Sequence, residues 1–292
     1  MTGDPIAQGE IVRGEIEVVR LVLGATGISE VALDDEGWDS RVYVVDGGVA
    51  VFKFPRTPAV QRAYRTEVAM LRLAASCELP LSTPRVRWVG PGLSYFGYEG
   101  LGGEAANLDA MAPARRGELG TAIGSFARAL HALDLPAVRT IDVEAEIADF
   151  QSNWAGAAPI VATRVTPAER SRLDAFYGET MPYEMRRLGG DPVLCHGDLG
   201  PWNIVVDDHG TVGVIDFGDV CRRDRSTDLV GMYEPVALDA ALAAYGDRAG
   251  LRDKIAVRAR ALPAMDVIFF AGKHDDVRLD VCIDRIRDLL LQ

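Results

Sequence analysis

The segment Leu194-Cys195-His196-Gly197-Asp198-Leu199-Gly200-Pro201-Trp202-Asn203 places an aspartate five positions ahead of an asparagine, in a loop that leads into the apolar run Ile204-Val205-Val206. Asp216 follows thirteen residues after Asn203, in Val214-Ile215-Asp216-Phe217-Gly218-Asp219. Residue types at this spacing suit phosphoryl transfer. Asp198 can orient a substrate hydroxyl and accept its proton, while Asn203 and Asp216 present hard oxygen ligands to Mg²⁺. The transition state of that reaction asks mainly for positioning and charge neutralisation, so no covalent nucleophile is needed. Each half taken singly also reads as an Asp in a Gly-Pro turn or a capped hairpin. Their order and spacing together favour the chemistry.

A second candidate group lies far upstream. Lys53 ends the apolar run Val49-Ala50-Val51-Phe52, from which a side chain can reach nucleotide phosphates, and Glu67 follows fourteen residues later on an expected helix as its ion-pair partner. Lysine is scarce, three residues against 28 arginines, which makes one inside an apolar strand more pointed. The same residue is also readable as a protective strand-edge lysine.

The elements that must carry these groups are legible as patterns. Apolar positions Ile11, Ile16, Val19, Leu21 and Leu23 among charges predict an amphipathic helix over about 10–23. Ile28 to Leu33, Val42 to Val45 and Val49 to Phe54 are short β-prone runs separated by turns, the last two joined by Asp46-Gly47-Gly48, so an antiparallel meander is expected. A helix over 57–75 and strands at Val86–Val89 and Tyr95–Tyr98 follow. The three glycines of Glu99-Gly100-Leu101-Gly102-Gly103-Glu104 mark a lobe junction, giving residues 1–99 and 100–292 as the two domains. Beyond it the chain reads as helices, notably Leu119 to Leu133 and about Pro167 to Leu188, with a hairpin at Asn203–Val206 and Val212–Ile215.

At 292 residues two packed lobes are a natural size. The net charge of −12 opposes nucleic acid or an anionic membrane as the main partner and favours a cationic one. Cys77, Cys195, Cys221 and Cys282 form no Cys-x-x-Cys pair, the N-terminus lacks a signal-peptide pattern, and no apolar run is long enough to cross a bilayer. Reduced thiols and a cytoplasmic location are expected.

The runs His196-Gly197-Asp198-Leu199-Gly200-Pro201-Trp202-Asn203 and Val214-Ile215-Asp216-Phe217-Gly218-Asp219 resemble the aminoglycoside and macrolide phosphotransferase superfamily over nearly the whole chain. Gly37-Trp38-Asp39-Ser40-Arg41-Val42-Tyr43, Phe52-Lys53-Phe54-Pro55-Arg56 and Phe96-Gly97-Tyr98 look most like aminoglycoside 2″-phosphotransferases. The resemblance implies an α+β, protein-kinase-like two-lobed fold, with a nucleotide-binding lobe before a catalytic and substrate-binding one. It implies a kinase that moves the γ-phosphate of GTP or ATP, with Mg²⁺, onto an aminoglycoside hydroxyl, the 2″ position, and so gives antibiotic resistance. Ser40 would then meet phosphate, and backbone near Glu99, Gly100 and Leu101 would meet the purine. Tyr98 would stand behind the base and bias the site towards GTP.

Carboxylates of the second lobe would receive the amines, with Asp219, Glu234, Asp266 and Asp275 as candidates. The family pattern Gly-Asp-Pro is replaced here by Arg223-Asp224-Arg225, and Asp228 reads as a cap of the next helix. His131 is expected as a packed histidine and His196 as a stiffener of the catalytic loop. Alternatives are a macrolide, another antibiotic or a metabolite as acceptor, or a nucleotide-binding pseudokinase acting as a regulatory module. A monomer is expected, with a dimer as the other option.

Overall fold

The computed structural model describes residues 5–24, 28–35, 37, 39–246 and 248–290. The chain divides into two compact units, Met1–Leu108 with Pro201–Val220, and Asp109–Gly200 with Cys221–Gln292.

The first unit is built on a five-stranded antiparallel sheet. Helix α1 (Pro5–Leu23) precedes strands β1 (Val31–Asp34), β2 (Ser40–Val45) and β3 (Ala50–Pro55). Helix α2 (Pro58–Ser76) separates them from β4 (Arg85–Val89) and β5 (Phe96–Glu99), and the sheet order is β1-β2-β3-β5-β4. The expected meander is present in β1 to β3, pinned by the Asp46-Gly47-Gly48 turn with all three residues at positive φ. Val19 of α1 packs with Tyr43, Val45, Phe52 and Phe54 of the sheet to form a small core. Thr57 caps α2 through its hydroxyl, and Pro58 opens the first turn. A second, three-stranded sheet joins Glu104–Ala105 to the hairpin Ile204–Val206 and Val212–Val214. The hairpin therefore belongs to the first unit although it lies a hundred residues beyond the glycine-rich junction.

The second unit is mainly helical: α3 (Pro113–Leu130), α4 (Val143–Val161), α5 (Pro167–Ala175), α6 (Met181–Leu188), α7 (Pro235–Tyr245), α8 (Leu251–Ala261), α9 (Pro263–Gly272) and α10 (Asp276–Leu290). A π turn at Phe176–Thr180 links α5 to α6, so the helical run expected from Pro167 to Leu188 is continuous but locally over-wide. Trp154 of α4 stacks on Tyr177 of that turn within the main apolar cluster. A two-stranded ladder pairs Val193–Cys195 with Cys221–Arg223 and carries the candidate catalytic loop out of the core.

Helices α3 and α7 approach unusually closely, because Gly120 and Gly124 lie one turn apart on the contact face. A Cβ at Gly120 would come within 2.1 Å of the Ala237 carbonyl oxygen, and one at Gly124 within 2.1 Å of that of Ala241. Backbone rather than a flexible side chain stands in the way, so Gly124→Val should force the helices apart and cost about 1–3 kcal/mol or more. Gly117, whose Cβ would have only a side-chain methyl at 3.8 Å, is the control. Gly117→Ala should stabilise by about 0.5–1 kcal/mol. Urea unfolding of both variants measures the difference.

Candidate active site

The first unit gathers Lys53, Glu67 and Asp216 into one group. Lys53 lies on β3 between Val42 of β2 and Phe96 of β5, with 6% of its surface exposed. Its ammonium donates to Glu67 Oε1 at 2.7 Å and to Asp216 Oδ1 at 2.9 Å, and stands 5.8 Å from the centre of the Phe96 ring. Burial works against the charged ammonium, but the two carboxylates outweigh it and hold the Lys53 pKa well above its ordinary value. Glu67, equally buried, is pushed up by desolvation and by the nearby Asp216 and Asp219 carboxylates, with Lys53 opposing.

Asp216 presents about half of its side chain to solvent and adopts a left-handed backbone, φ 61° and ψ 74°. That conformation is costly for a residue with a Cβ and is found preferentially where geometry serves a site. The Ile215 N–H donates to the Asn203 carbonyl at 2.9 Å, closing the base of the hairpin whose register pairs Ile204 with Val214. Asn203 and Asp216 are thereby held at adjoining strand ends. One amide oxygen and one carboxylate so placed form a donor set that fits Mg²⁺.

The remaining expectations for this unit fall as follows. The Ser40 hydroxyl is buried and shares a 2.7 Å hydrogen bond with the Tyr64 hydroxyl, which commits it to the interior of the unit. Trp38 of the same run lies outside the described residues. Tyr98 is buried beside Phe96, and burial raises its pKa. The Gly100 N–H donates to the Val49 carbonyl at 3.2 Å and so extends the sheet, while the Glu99 side chain pairs with Arg87. Leu101 is half-buried, and Asp219 is exposed on the short helical turn that follows Asp216.

The second unit fixes the loop bearing Asp198. Asp228, fully buried, accepts the His196 backbone N–H at 2.7 Å and the Gly197 N–H at 2.9 Å. His131 Nε2 lies 3.0 Å from Asp228 Oδ2, and its Nδ1 lies 2.8 Å from the Tyr245 hydroxyl. Facing an acceptor-only carboxylate, Nε2 carries the proton. The His196 ring, itself buried, accepts the Asp198 N–H through Nδ1 at 3.3 Å. Desolvation pushes the Asp228 pKa up, yet the His131 bond, the nearby imidazoles and the Gly197 amide hold it below the ordinary value.

Asp228 is therefore a clamp on the loop bearing Asp198 and not a helix cap; Glu234 caps α7 instead, accepting the Ala237 N–H at 2.9 Å. No sequence spacing marks this role, because clamp and loop are more than thirty residues apart. The arginines flanking Asp224 also have defined partners. Arg223 pairs with Glu146 at 3.4 Å and Asp149 at 3.6 Å, and Arg225 donates to the Tyr245 hydroxyl at 3.3 Å. Asp224 binds Lys254 at 2.6 Å and accepts the Ser226 N–H at 3.0 Å. Arg258 joins the buried Glu146 carboxylate to Ser226, so the whole segment before Asp228 is fixed by charge-assisted bonds.

Of the acceptor candidates in this unit, Glu234 also pairs with Arg116 at 3.2 Å. Asp275 accepts the Arg278 N–H at 3.0 Å and pairs with its side chain at 3.4 Å. Asp266 stands in the first turn of α9 and is half-buried, with its pKa raised by desolvation.

The α+β architecture and the two motif-bearing segments define a kinase-like protein. The model of the phosphotransferase enzyme family matches residues 30–263, and the chain belongs to that family. The solved GDP and kanamycin complex of APH(2″)-IIIa is similar at TM-score 0.76 and 20% identity, covering 94% of this chain and 97% of that one. The apoenzyme of macrolide 2′-phosphotransferase MphH from Brachybacterium faecium is similar at TM-score 0.62 and 20% identity, over 92% and 98% of the two chains. A choline/ethanolamine kinase family protein from Mesorhizobium loti is similar at TM-score 0.68 and 14% identity, over 97% and 95%. No curated protein sequence matches the chain. At these identities the structures share the fold.

The Asp228 clamp sets a pH dependence. Its folded pKa lies below the unfolded value near 3.8, so its contribution is complete above that value and is lost as pH falls through the folded pKa. Unfolding free energy should drop on acidification below about pH 4 in the parent protein and fall less steeply in Asp228→Asn. Asp228→Ala, which strands two amides and an imidazole, should cost about 3–5 kcal/mol near neutrality. Denaturant titrations across pH 3–7 read both effects, and parallel slopes in parent and Asp228→Asn would contradict the assignment.

Proposed function

We propose that the chain transfers the γ-phosphoryl group of GTP or ATP to a hydroxyl of an amine-bearing small molecule. The buried Lys53 ammonium held between Glu67 and Asp216 carries this reading, because it places a fixed positive charge beside a carboxylate that can share a nucleotide-bound metal. Residues 1–99 serve as the nucleotide-binding lobe and residues 100–292 as the catalytic and substrate-binding lobe. The specific acceptor suggested by the resemblance is an aminoglycoside 2″-hydroxyl, with resistance as the consequence. The kanamycin bound in the similar APH(2″)-IIIa complex supports that form.

Asp198 orients the acceptor hydroxyl and takes its proton, which passes on to solvent. The hydroxyl oxygen bonds to the γ-phosphorus as the β–γ bridging P–O bond breaks, and the bridging oxygen leaves with that electron pair on the nucleoside diphosphate. Asn203 and Asp216 would hold Mg²⁺, which when bound supplies charge neutralisation to the triphosphate. Lys53 fixes the phosphates, and Glu67 keeps Lys53 charged and aimed. Tyr98 and the Glu99–Leu101 backbone contribute the base contacts, with the bulk of Tyr98 favouring GTP.

Asp198→Asn should lower acceptor-dependent diphosphate release by about 100- to 10,000-fold. Asn203→Ala should raise the Mg²⁺ concentration needed for half-maximal rate. The assay uses aminoglycosides, macrolides and a blank, each with GTP or ATP. Tight nucleotide binding with no acceptor-dependent turnover across the panel would favour a regulatory nucleotide-binding module instead.

A further inference from the structure

Beyond the two loop amides, the Asp228 clamp continues through His131 and Tyr245 to Arg225, all within the second unit. The His131 and Asp228 side chains are 3% and 0% exposed and Tyr245 is buried, so each must find its hydrogen-bond partners inside the protein. The two ends of this chain have fixed roles: an arginine only donates and a carboxylate only accepts. Arg225 Nη1 donates to the Tyr245 oxygen at 3.3 Å, which leaves the Tyr245 O–H to donate to His131 Nδ1 at 2.8 Å. The His131 Nε2–H then donates to Asp228 Oδ2 at 3.0 Å, and the carboxylate also receives the His196 and Gly197 amides. In this order every proton along the chain meets an acceptor.

A doubly protonated ring would break the order. Its Nδ1–H would turn onto the Tyr245 oxygen, already occupied by the guanidinium, and the phenolic proton would lose its acceptor, since among the described residues that hydroxyl bonds only to His131 and Arg225. The other groups around the ring add no competing proton donor. The Cys195 sulfur, a His131 nitrogen and an Asp228 oxygen lie within 4.8 Å of one another, but burial pushes the Cys195 pKa well up and keeps it a thiol that donates to the Arg223 and Asp224 carbonyls. His196 accepts the Asp198 N–H through Nδ1, so that nitrogen carries no proton. Arg248 adds a further positive charge near Tyr245. Asp228 alone favours an imidazolium, and it already has three donors.

We infer that Tyr245 and Arg225 are positioning residues for the loop bearing Asp198: Arg225 directs the Tyr245 proton inward, and Tyr245 holds the His131 ring neutral with its proton on Nε2, against the carboxylate from which the loop hangs. The consequence for catalysis rests on the phosphotransferase reading; the state of the ring and the hold on the loop do not.

Full-length protein labelled with ¹⁵N-histidine reads the ring directly, its signals assigned by their loss in His131→Gln. At pH 7 the parent ring should show a protonated Nε2 and a bare Nδ1. Arg225→Met, which frees the Tyr245 oxygen to accept, should show Nδ1 partly protonated, and Arg225→Lys should restore the parent spectrum. Tyr245→Phe keeps the aromatic packing, the native rings lying 5.4 Å apart, and removes only the hydroxyl. It should speed hydrogen exchange of the His196 and Gly197 amides about 3- to 10-fold, the worth of one neutral hydrogen bond, with the Trp154 amide of α4 unchanged. With Mg·GTP or Mg·ATP and the aminoglycoside or macrolide that turns over fastest in the parent, kcat should fall by a similar factor and both KM values should hold.

A parent ring protonated on Nδ1 or on both nitrogens overturns the inference, as does an unaltered ring in Arg225→Met. Unchanged exchange at His196 and Gly197 in Tyr245→Phe, or an acceleration shared by Trp154, overturns it as well. A kinetic effect confined to KM removes the positioning role in catalysis. Absence of turnover by the parent with every acceptor removes the phosphotransferase reading, and the ring spectra and amide exchange then decide the hold on the loop by themselves.

Discussion

The structure of the first unit turns on one ammonium group taken out of water. Lys53 sits within an apolar strand, where an isolated charge would be severely penalised, and Glu67 and Asp216 make it tolerable. Meeting that requirement fixes the face that α2 turns to the sheet and the position of the segment after the hairpin. Glu67 and Asp216 share that one lysine, and the Asp219 carboxylate stands near Glu67. Burial first, and the neighbouring carboxylates after it, raise the Glu67 pKa against the opposing pull of Lys53.

The second unit solves a different problem with the same kind of group. A loop that presents Asp198 must hold its backbone still without secondary structure, and the buried Asp228 does so by accepting two consecutive amides. A carboxylate spent in this way must itself be fixed. His131 and Tyr245 hold it on one side, and the Arg223, Asp224, Arg258 and Glu146 bonds hold the preceding segment. The Arg223 and Arg225 substitutions in the family pattern are thus accommodated by helices α4 and α7, which supply the acidic and hydroxyl partners that those side chains need.

Local periodicity and turn chemistry showed the helices, the meander and the hairpin, because each is decided by residues close in sequence. Lys53 and Glu67 were likewise visible, as one stands on an apolar strand and the other on the helix after it. Sequence reasoning could not show that β5 inserts between β3 and β4, or that residues 201–220 group with the first unit, because both depend on long-range packing. The Glu146–Arg258 pair spans more than a hundred residues and leaves no pattern. Ser40 begins a strand, where its hydroxyl meets Tyr64, a pairing that its loop-like surroundings in the sequence conceal.

Net charge alone does not say which carboxylates are left for a ligand. A value of −12 suggests a surface waiting for a cation, yet many carboxylates are consumed in building the protein. Glu234 and Asp275 cap helices and bind arginines, Asp224 holds Lys254, Glu146 holds Arg258, and Asp228 holds a loop. What a ligand meets is the remainder after those commitments.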